Sequence, residues 1–362
     1  MPSAALNYGL NLLYLLRKDS LLRRGHLPRP LVVTYFLTTH CNLNCGYCED
    51  FGARRNGQNV APPPLEDALA VLRTIRTGTD AVILTGGEPL LHPQIDVLVE
   101  RAKRELRFGS ITMLTNAALL HNHEAVLPHL SRLVISLDST DAALWSSIVN
   151  VPRHTVDRIF ENITTYAAKQ KQYGYRMVLN CVVTPQTLPG ARSVIDFCER
   201  HGILVSFSPQ AVMNWPSYDL LVSEEYKAFL AELLERKARG APVLGSQAYL
   251  RTLLDFRPYA CYPMLNPRVM PTGELLYPCR PIEKENNGHG GRPCNLREVR
   301  NWDEAVSRAV AEYGSPPQMC TSCFQQCYAE ASLMQARPLD WITEWLRYPA
   351  SRSGDLPTFA PG

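Results

Sequence analysis

From residue 31 onward, short apolar runs alternate with segments that carry an apolar residue every three or four positions. This alternation predicts strands followed by helices, and such a chain pairs its strands in parallel through right-handed crossovers. The predicted strands are 31–37, 81–84, 111–114, 133–137, 177–183 and 203–207. The predicted helices are 65–75, 95–106, 156–168, 191–199 and 224–238.

Six strand–helix units are too few to close an eight-stranded barrel. We therefore predict the α/β class, with a partial (β/α)6 TIM-like barrel over residues 30–240. After residue 240 the alternation stops, and residues 241–362 predict a small cysteine-rich α+β domain with a hairpin at 269–277 and a C-terminal helix. Residues 1–29 predict an amphipathic helix. In barrels of parallel strands the chemistry lies at the carboxyl ends of the strands.

The charge balance argues against a nucleic-acid partner. The 362 residues contain 37 Lys and Arg against 34 Asp and Glu, a net charge of +3, without a basic stripe. No apolar run reaches the roughly 18 residues that a membrane span needs, and the first helix lacks the features of a secretory signal. We therefore predict a cytoplasmic protein whose 11 cysteines stay reduced.

Three cysteines lie together directly after the first predicted strand. Cys41, Cys45 and Cys48 follow a Cys-x3-Cys-x2-Cys spacing. A [4Fe–4S] cluster usually has four cysteine ligands, so three cysteines leave one iron open to another molecule. The alternative is a zinc site completed by His40 or by a distant residue, because short cysteine spacings are common in zinc sites.

A glycine pair and an acidic residue stand at the end of the second predicted strand. Gly86 and Gly87 allow a close approach of the backbone, and Glu88 can accept hydrogen bonds from an amine. Pro89 follows, and alone this sequence is only a turn. Together with three cysteines one strand–helix unit upstream, it favours a cofactor site.

With these motifs, and with Asn116 after the third strand and Ser136 at the fourth, residues 30–240 resemble the radical S-adenosylmethionine (SAM) superfamily. The resemblance implies that a [4Fe–4S] cluster on the three early cysteines binds the amino and carboxylate groups of SAM. It also implies that residues at the strand ends contact SAM, namely Gly86, Gly87, Glu88, Pro89, Asn116, Ser136, Asn180 and Ser206.

The same resemblance implies an oxygen-sensitive enzyme that cleaves SAM reductively to a 5′-deoxyadenosyl radical and functionalises a C–H or C=C bond. Iron–sulfur potentials reach about −700 mV, and reducing a sulfonium requires the negative end of their range. A low-potential electron donor such as flavodoxin or ferredoxin is implied as a partner. The rival interpretation is a scaffold without catalysis, which binds a partner protein through zinc or an iron–sulfur cluster.

Six further cysteines crowd the last third of the chain. Cys261 precedes the predicted hairpin and Cys279 follows it, as in the auxiliary-cluster extensions called SPASM or twitch domains, which this part resembles. That resemblance implies one auxiliary [4Fe–4S] cluster, held by these two residues and by two of Cys320, Cys323 and Cys327, with Cys294 as a spare ligand. A zinc-stapled module is the alternative.

Two resemblances imply different substrates. The stretch 320–330 is similar to the tail of the adenosylhopane-synthase type, which implies a lipid or isoprenoid, whereas SPASM-type relatives imply a peptide. The N-terminal helix bears on this choice, since its apolar face is followed by basic residues. We expect that face to pack on the barrel, and the alternative is weak contact with a membrane surface. The face consists of Leu6, Leu10, Leu13 and Leu16.

Overall fold

The structure is a computed structural model that describes residues 2–16, 27–48, 51, 59–212, 215–279, 294–316 and 323–347. Its first six strands are β1 Val33–Phe36, β2 Ala81–Thr85, β3 Ser110–Thr115, β4 Arg132–Ser136, β5 Arg176–Val183 and β6 Leu204–Pro209. They lie side by side in this order and pair in parallel throughout. The predicted α/β class with a partial parallel barrel is confirmed.

Helices follow the strands and cover the sheet. The α-helices are α1 Ala4–Leu16, α2 Leu65–Arg76, α3 Ile95–Arg104, α4 Ala142–Val149, α5 Arg153–Ala168, α6 Gln170–Tyr173, α7 Ala191–His201, α8 Tyr218–Leu221, α9 Glu224–Ala238, α10 Gln247–Asp255, α11 Trp302–Tyr313, α12 Gln326–Ala336 and α13 Pro338–Arg347. Short 3-10 turns stand at Pro89–Leu91, Leu120–Asn122, Glu124–His129, Leu188–Gly190 and Pro263–Leu265.

The core lies on both faces of the parallel strands. All four residues of β1 and all five of β2 are buried, as expected for strands covered by helices on one face and by barrel interior on the other. The helices turn apolar stripes to the sheet, and polar caps fix several of their starts. Ser223, for example, accepts a hydrogen bond from the Tyr226 N–H at the start of α9, where the sequence predicts a helix to begin.

The cysteine-rich part of the chain joins the barrel sheet. Strand β9 (Arg268–Val269) pairs in parallel with β1, with Arg268 opposite Thr34, and β10 (Leu275–Leu276) pairs with β9 as an antiparallel hairpin. The sheet therefore has eight strands in the order β10-β9-β1-β2-β3-β4-β5-β6, and a separate pair is formed by β7 Ala211–Val212 and β8 Trp215–Pro216. The predicted boundary at residue 240 stays a prediction, and the hairpin beyond it extends the barrel sheet.

Helix α1 packs on the protein through its polar side, contrary to the expected packing of its apolar face. Asn7 is fully buried, and its Nδ2 donates to the carbonyl oxygens of Pro30 (2.7 Å) and Gly78 (2.8 Å). Asn11 is also buried, and its amide bonds the backbone of Arg29 in both directions. The leucines face outward, with exposed fractions of 54% at Leu6, 40% at Leu10, 63% at Leu13 and 81% at Leu16.

The helices in the described ranges are short or partly polar. None of these helices combines the length and the apolar character that a span across a bilayer requires.

Candidate functional site

The cysteine loop, residues 37–48, begins at the carboxyl end of β1 and lies between two other elements. On one side, the N–H of Gly87, which follows β2, donates to the carbonyl oxygen of Thr38 (2.8 Å). On the other side, the Gly46 N–H donates to the carbonyl oxygen of Ile148 in α4 (2.9 Å). The loop is thus fixed at the strand-end edge where the sequence predicts the chemistry.

The two glycines after β2 are required by the cysteine loop. A Cβ on Gly86 would lie 2.3 Å from the carbonyl oxygen of Thr38, and a Cβ on Gly87 would lie 2.1 Å from that of His40. Gly86 also has φ +154°, which side chains rarely adopt. The sequence predicts a close approach to a ligand here, and the close approach in the structure is to the loop that carries the cysteines. Both glycines also line the adjacent chamber.

The three early thiols lie half-buried at one wall of that chamber. The pKa of Cys41 is raised to about 11, mainly by burial. The Leu43 N–H lowers this pKa, and the neighbouring Glu88 and Cys48 contribute to raising it. Burial also raises the pKa of Cys45 well above its usual range, with contributions from Asp138 and the other two cysteines. A bound metal centre supplies the positive charge that deprotonates such thiols.

Three thiols on one short loop are a donor set that fits an iron–sulfur cluster, since thiolates are its usual ligands. Within the described ranges, no three or more His, Cys, Asp or Glu side chains are already drawn together closely enough to hold a single metal ion. His40, the proposed fourth ligand of a zinc site, is exposed and does not line the chamber.

A buried hydrogen bond connects the cysteine loop to the far side of the barrel. The Tyr47 hydroxyl donates to Oδ2 of Asp138 (2.5 Å), which follows β4, and Oδ1 accepts from the Val182 N–H in β5 (2.8 Å). Burial raises the pKa of Asp138 to about 6, although both hydrogen bonds lower it. Asp138 therefore joins three strand ends through one carboxylate.

Glu88 is committed to the protein itself. Its side chain is 0% exposed and does not line the chamber. One carboxylate oxygen accepts from the Leu90 N–H (3.0 Å) and the Thr115 hydroxyl (2.7 Å), and the other accepts from the Asn116 N–H (2.8 Å). Burial raises its pKa to about 7 against these bonds. The contact of Glu88 with SAM stays a prediction, and in the structure the carboxylate ties β2 to β3. The adjoining Pro89 is likewise buried outside the chamber lining.

Polar residues from the ends of β3, β4 and β5 meet in the chamber, whereas Ser206 of β6 is not part of its wall. Asn116, Ser136 and Asn180 line the chamber. Asn116 donates to Oδ1 of Asn42 in the cysteine loop (2.7 Å). Ser206 lies opposite Asn180 in the sheet, is fully buried, and donates to the Oδ1 of Asn180 (3.0 Å). Ser206 therefore positions Asn180 without lining the chamber itself, and Ser208, two residues on along the same face of β6, lines it. The contact of Ser206 with SAM stays a prediction.

The chamber encloses about 1570 Å³, counting space continuous with solvent. Aromatic and polar residues that the sequence did not single out complete its wall, namely Phe36, Phe51, Trp145, Gln210, Arg268 and Gln325. Only Arg268 gave a signal in the sequence, as a charged residue at the edge of an apolar predicted strand.

Four of the late cysteines are buried around two tyrosines. Cys261, Cys323 and Cys327 all raise the pKa of Tyr259 after burial, and Cys279, Cys327 and Cys323 raise that of Tyr328. Their thiols therefore share one region and fit an auxiliary cluster as a donor set. Cys320 lies outside the described residues.

Cys294 has different electrostatic neighbours. After burial, its pKa responds to Arg308, Glu298 and Glu312, which flank or belong to α11. Its carbonyl oxygen accepts from the Leu275 N–H (2.8 Å). None of the other described cysteines is among these leading neighbours, and the role of Cys294 as a spare ligand stays a prediction.

The chain is similar in sequence to known proteins. A family model described as the Radical SAM superfamily matches residues 35–197. A relative named "Probable GTP 3′,8-cyclase" from Methanococcus aeolicus is 27% identical over 47% of this chain and 56% of its own length. A "GTP 3′,8-cyclase" from Rhodococcus opacus is 26% identical over 58% of this chain and 60% of its own length. The chain thus spans less than two thirds of these curated relatives.

Solved structures share the fold across more of the chain. A structure of histidine-tagged anSMEcpe with bound AdoMet matches with a TM-score of 0.57 at 16% identity, over 77% of this chain and 80% of that one. A second, "Native anSMEcpe with bound AdoMet and Cp18Cys peptide", matches with a TM-score of 0.52 at 16% identity, over 76% of this chain and 80% of that one. At this identity the likeness shows the fold alone. Over residues 35–197 this chain is thus similar to the radical SAM superfamily, whose members use a [4Fe–4S] cluster and SAM.

Proposed function

We propose that this protein is an enzyme that binds a [4Fe–4S] cluster on Cys41, Cys45 and Cys48, cleaves SAM reductively, and functionalises a C–H or C=C bond of a second molecule. One observation carries the proposal. The three thiols, the Gly86–Gly87 backbone and polar side chains from the next three strand ends line a single chamber.

Each part of the chamber has a task in such a reaction. Cys41, Cys45 and Cys48 would hold the [4Fe–4S] cluster, which would supply the electron for reductive cleavage of SAM to methionine and a 5′-deoxyadenosyl radical. The backbone at Gly86 and Gly87 offers polar groups beside the cysteine loop, and Asn116 and Asn180 offer amides at the neighbouring strand ends. The rings of Phe36, Phe51 and Trp145 make part of the chamber wall apolar, which suits a reaction that must be kept from water.

The proposal is tested by anaerobic reconstitution with iron and sulfide, followed by dithionite and SAM. We expect a brown protein that releases 5′-deoxyadenosine. Cys41→Ala, Cys45→Ala and Cys48→Ala should each lose this release and become paler, because the early cluster is lost. Cys198→Ala is the matched control, because Cys198 is buried in α7 away from the chamber. A colourless, zinc-loaded protein that leaves SAM intact would support the non-catalytic scaffold instead.

We propose that flavodoxin or ferredoxin supplies the low-potential electron in the cell. Replacing dithionite with flavodoxin, its reductase and NADPH in the same assay should still give 5′-deoxyadenosine. If dithionite supports formation of 5′-deoxyadenosine but neither flavodoxin nor ferredoxin does, the proposed electron donor would be contradicted.

For the late cysteines we propose one auxiliary [4Fe–4S] cluster, supported by the shared surroundings of Cys261, Cys279, Cys323 and Cys327. The expected iron content is close to eight per chain, which falls to about four in Cys327→Ala while the early cluster remains. Cys294→Ala is the control and should keep all the iron. Four irons in the wild type, with one bound zinc, would favour the zinc-stapled module.

The two predicted substrate classes differ in charge, because peptides carry carboxylates and a hydrocarbon isoprenoid carries no charged group. The chamber wall contains the buried guanidinium of Arg268, which favours an anionic substrate. The fold neighbour with a bound peptide and the relatives named after GTP both agree with a charged substrate. We therefore place a peptide ahead of a neutral lipid.

We also propose weak membrane contact through the outward leucines of α1, supported by their exposure. The basic residues that follow in the sequence, Arg17, Lys18, Arg23 and Arg24, lie outside the described residues. Co-sedimentation with phosphatidylglycerol vesicles at low salt should be reduced in the Leu6→Gln, Leu10→Gln, Leu13→Gln variant, and vesicles of phosphatidylcholine are the control. Equal sedimentation of variant and wild type would refute the contact, and a concentration-dependent dimer would assign the face to a second copy.

A further inference from the structure

Arg268 is a buried cation with an incomplete set of partners. It lies on β9 and is 6% exposed. Its Nη2 donates to the Oε1 of Gln325 (2.7 Å) and to the Sγ of Cys327 (3.0 Å). Its Nε is buried and has no hydrogen-bond partner among the described residues. A buried donor without a partner is costly, so this arrangement calls for an explanation.

The surroundings of Arg268 contain aromatic rings where a counter-charge is expected. Its guanidinium carbon lies 4.8 Å from the ring centre of Tyr328 and 6.0 Å from that of Phe36. The groups that most strongly favour its charge are Tyr328, Cys327 and Cys323, and no carboxylate is among the leading ones. A buried charge requires a paired anion or strong hydrogen bonds. Among the described residues, the leading groups that can offer a negative charge to Arg268 are the side chains of Tyr328, Cys327 and Cys323.

The other side of Arg268 is the reaction chamber. Arg268 and Gln325 line the same chamber as the three early cysteines and the polar strand ends. The position follows from the sheet, because Arg268 stands opposite Thr34 on β1, and β1 leads directly into the cysteine loop. A ligand held at Arg268 therefore shares one space with a SAM molecule held at the early cysteines.

We propose that Arg268, assisted by the side-chain amide of Gln325, binds an acidic oxygen group of the substrate, a carboxylate or a phosphate. The guanidinium presents five donors in a planar fork that matches such groups, and two of the five are used by Gln325 and Cys327. The inference rests on the proposed function, since it needs the substrate beside the SAM site. It names the feature of the substrate that this chain recognises.

A purely structural role for Arg268 makes a different prediction. If the guanidinium only supports Cys327 through the hydrogen bond to Sγ, its replacement alters the auxiliary cluster and leaves the chamber unchanged. The test must therefore read anion binding and cluster properties separately.

The experiment uses the anaerobically reconstituted full chain with SAM bound. Isothermal titration calorimetry measures the affinity for two probes, succinate for a carboxylate source and pyrophosphate for a phosphate source. The variants are Arg268→Gln, which removes the charge, and Arg268→Lys, which keeps the charge without the fork. Arg251→Gln is the matched control, because Arg251 lies on α10 and does not line the chamber.

We expect one probe to bind the wild type and the Arg251→Gln protein equally, with at least tenfold weaker binding in Arg268→Gln and an intermediate loss in Arg268→Lys. The probe that binds identifies the source of the anion. Formation of 5′-deoxyadenosine from SAM alone should persist in Arg251→Gln, and its absence in the wild type would count against the proposed function.

Two results would overturn the assignment of Arg268 while leaving the proposed function intact. One is a wild type that cleaves SAM and binds neither probe. The other is equal probe affinity in wild type and Arg268→Gln, together with a changed electron paramagnetic resonance signal of the auxiliary cluster. The second result would make Arg268 a positioning residue for Cys327.

Discussion

The hydroxyl of Tyr47 lies 2.5 Å from the Oδ2 of Asp138, and this contact fastens the cysteine loop to the end of β4. The two residues are 91 positions apart in the sequence. Asp138 is almost completely buried and holds β5 with its other oxygen. The cysteine loop is therefore held, besides its backbone hydrogen bonds, by a carboxylate that also lines the chamber.

Replacing Tyr47 with phenylalanine should loosen that loop. The variant leaves a buried carboxylate oxygen without its donor, which costs about 1–3 kcal/mol of unfolding free energy. We expect this loss in chemical denaturation, together with a lower iron content after reconstitution. Tyr173→Phe is the control, since the Tyr173 hydroxyl donates to Glu124 over the same 2.5 Å at the surface. Equal stability and iron content in the two variants would show that the Tyr47 bond does not hold the loop.

Glu88→Gln should destabilise the protein even though the two side chains have the same shape. Each carboxylate oxygen accepts a backbone N–H, from Leu90 on one side and Asn116 on the other. Either orientation of the glutamine amide therefore sets its NH2 group against a backbone donor. We expect a loss of about 1–3 kcal/mol in unfolding free energy, measured by urea denaturation of the apoprotein.

Glu66→Gln provides the comparison for that experiment. Glu66 is exposed on α2, and exposed ion pairs contribute little, so its replacement should leave the unfolding free energy almost unchanged. A Glu88→Gln protein as stable as Glu66→Gln would mean that the carboxylate of Glu88 is not needed at that position.

Gly87→Ala should prevent the early cysteines from binding iron. The added Cβ would lie 2.1 Å from the carbonyl oxygen of His40, which is backbone and cannot move without moving Cys41. We expect a folded protein with little iron at the early site and no 5′-deoxyadenosine. Gly9→Ala in α1 is the control, because its Cβ meets nothing within 4 Å. Full iron content in Gly87→Ala would show that the loop tolerates the shift.

The stability of the protein should fall with rising pH because of Glu330. Burial raises the pKa of this carboxyl to about 7, although both of its oxygens accept the Ser246 N–H at 3.0 Å. In the unfolded chain a glutamate releases its proton near pH 4.3, so between about pH 4.3 and 7 the folded state holds more protons than the unfolded state. The unfolding free energy then decreases by up to about 1.4 kcal/mol per pH unit for this one group.

The contribution of Glu330 is read as the difference between wild type and Glu330→Gln across that pH range. Exposed carboxylates with lowered pKa values, such as Glu304 at about 2, are present in both proteins and cancel. The unfolding free energy of the wild type should fall relative to that of Glu330→Gln as the pH rises, and the difference should become constant above about pH 7. A difference that is flat, or that shifts the other way, would show that Glu330 is charged in the folded protein below pH 7.

The sequence was sufficient for the barrel because each predicted strand is an apolar run bounded by polar turns, and all six appear in the structure. It was also sufficient to place Cys41, Cys45 and Cys48 on one short loop, since their spacing is local. Contacts between distant residues were not predictable in this way. The commitment of Glu88 to Thr115 and Asn116, and the donation of Ser206 to Asn180, depend on which strands become neighbours and in which register.

Helix α1 shows why an apolar face does not by itself predict burial. The leucine spacing was clear, but Asn7 and Asn11 find buried backbone partners at residues 29, 30 and 78 that the sequence does not reveal. The four hydrogen bonds that these two asparagines form decide which side of the helix faces the protein. The leucines are left outside as a result.

The parallel pairing of β9 with β1 makes the last third of the chain a structural neighbour of the first cysteine loop. A fragment that stops at residue 240 would leave the backbone of Val33–Phe36 bare along one side, and bare strand edges recruit strands from other molecules. Such a fragment should accumulate as insoluble aggregates. The barrel and the last third of the chain therefore need to be produced and purified as one polypeptide.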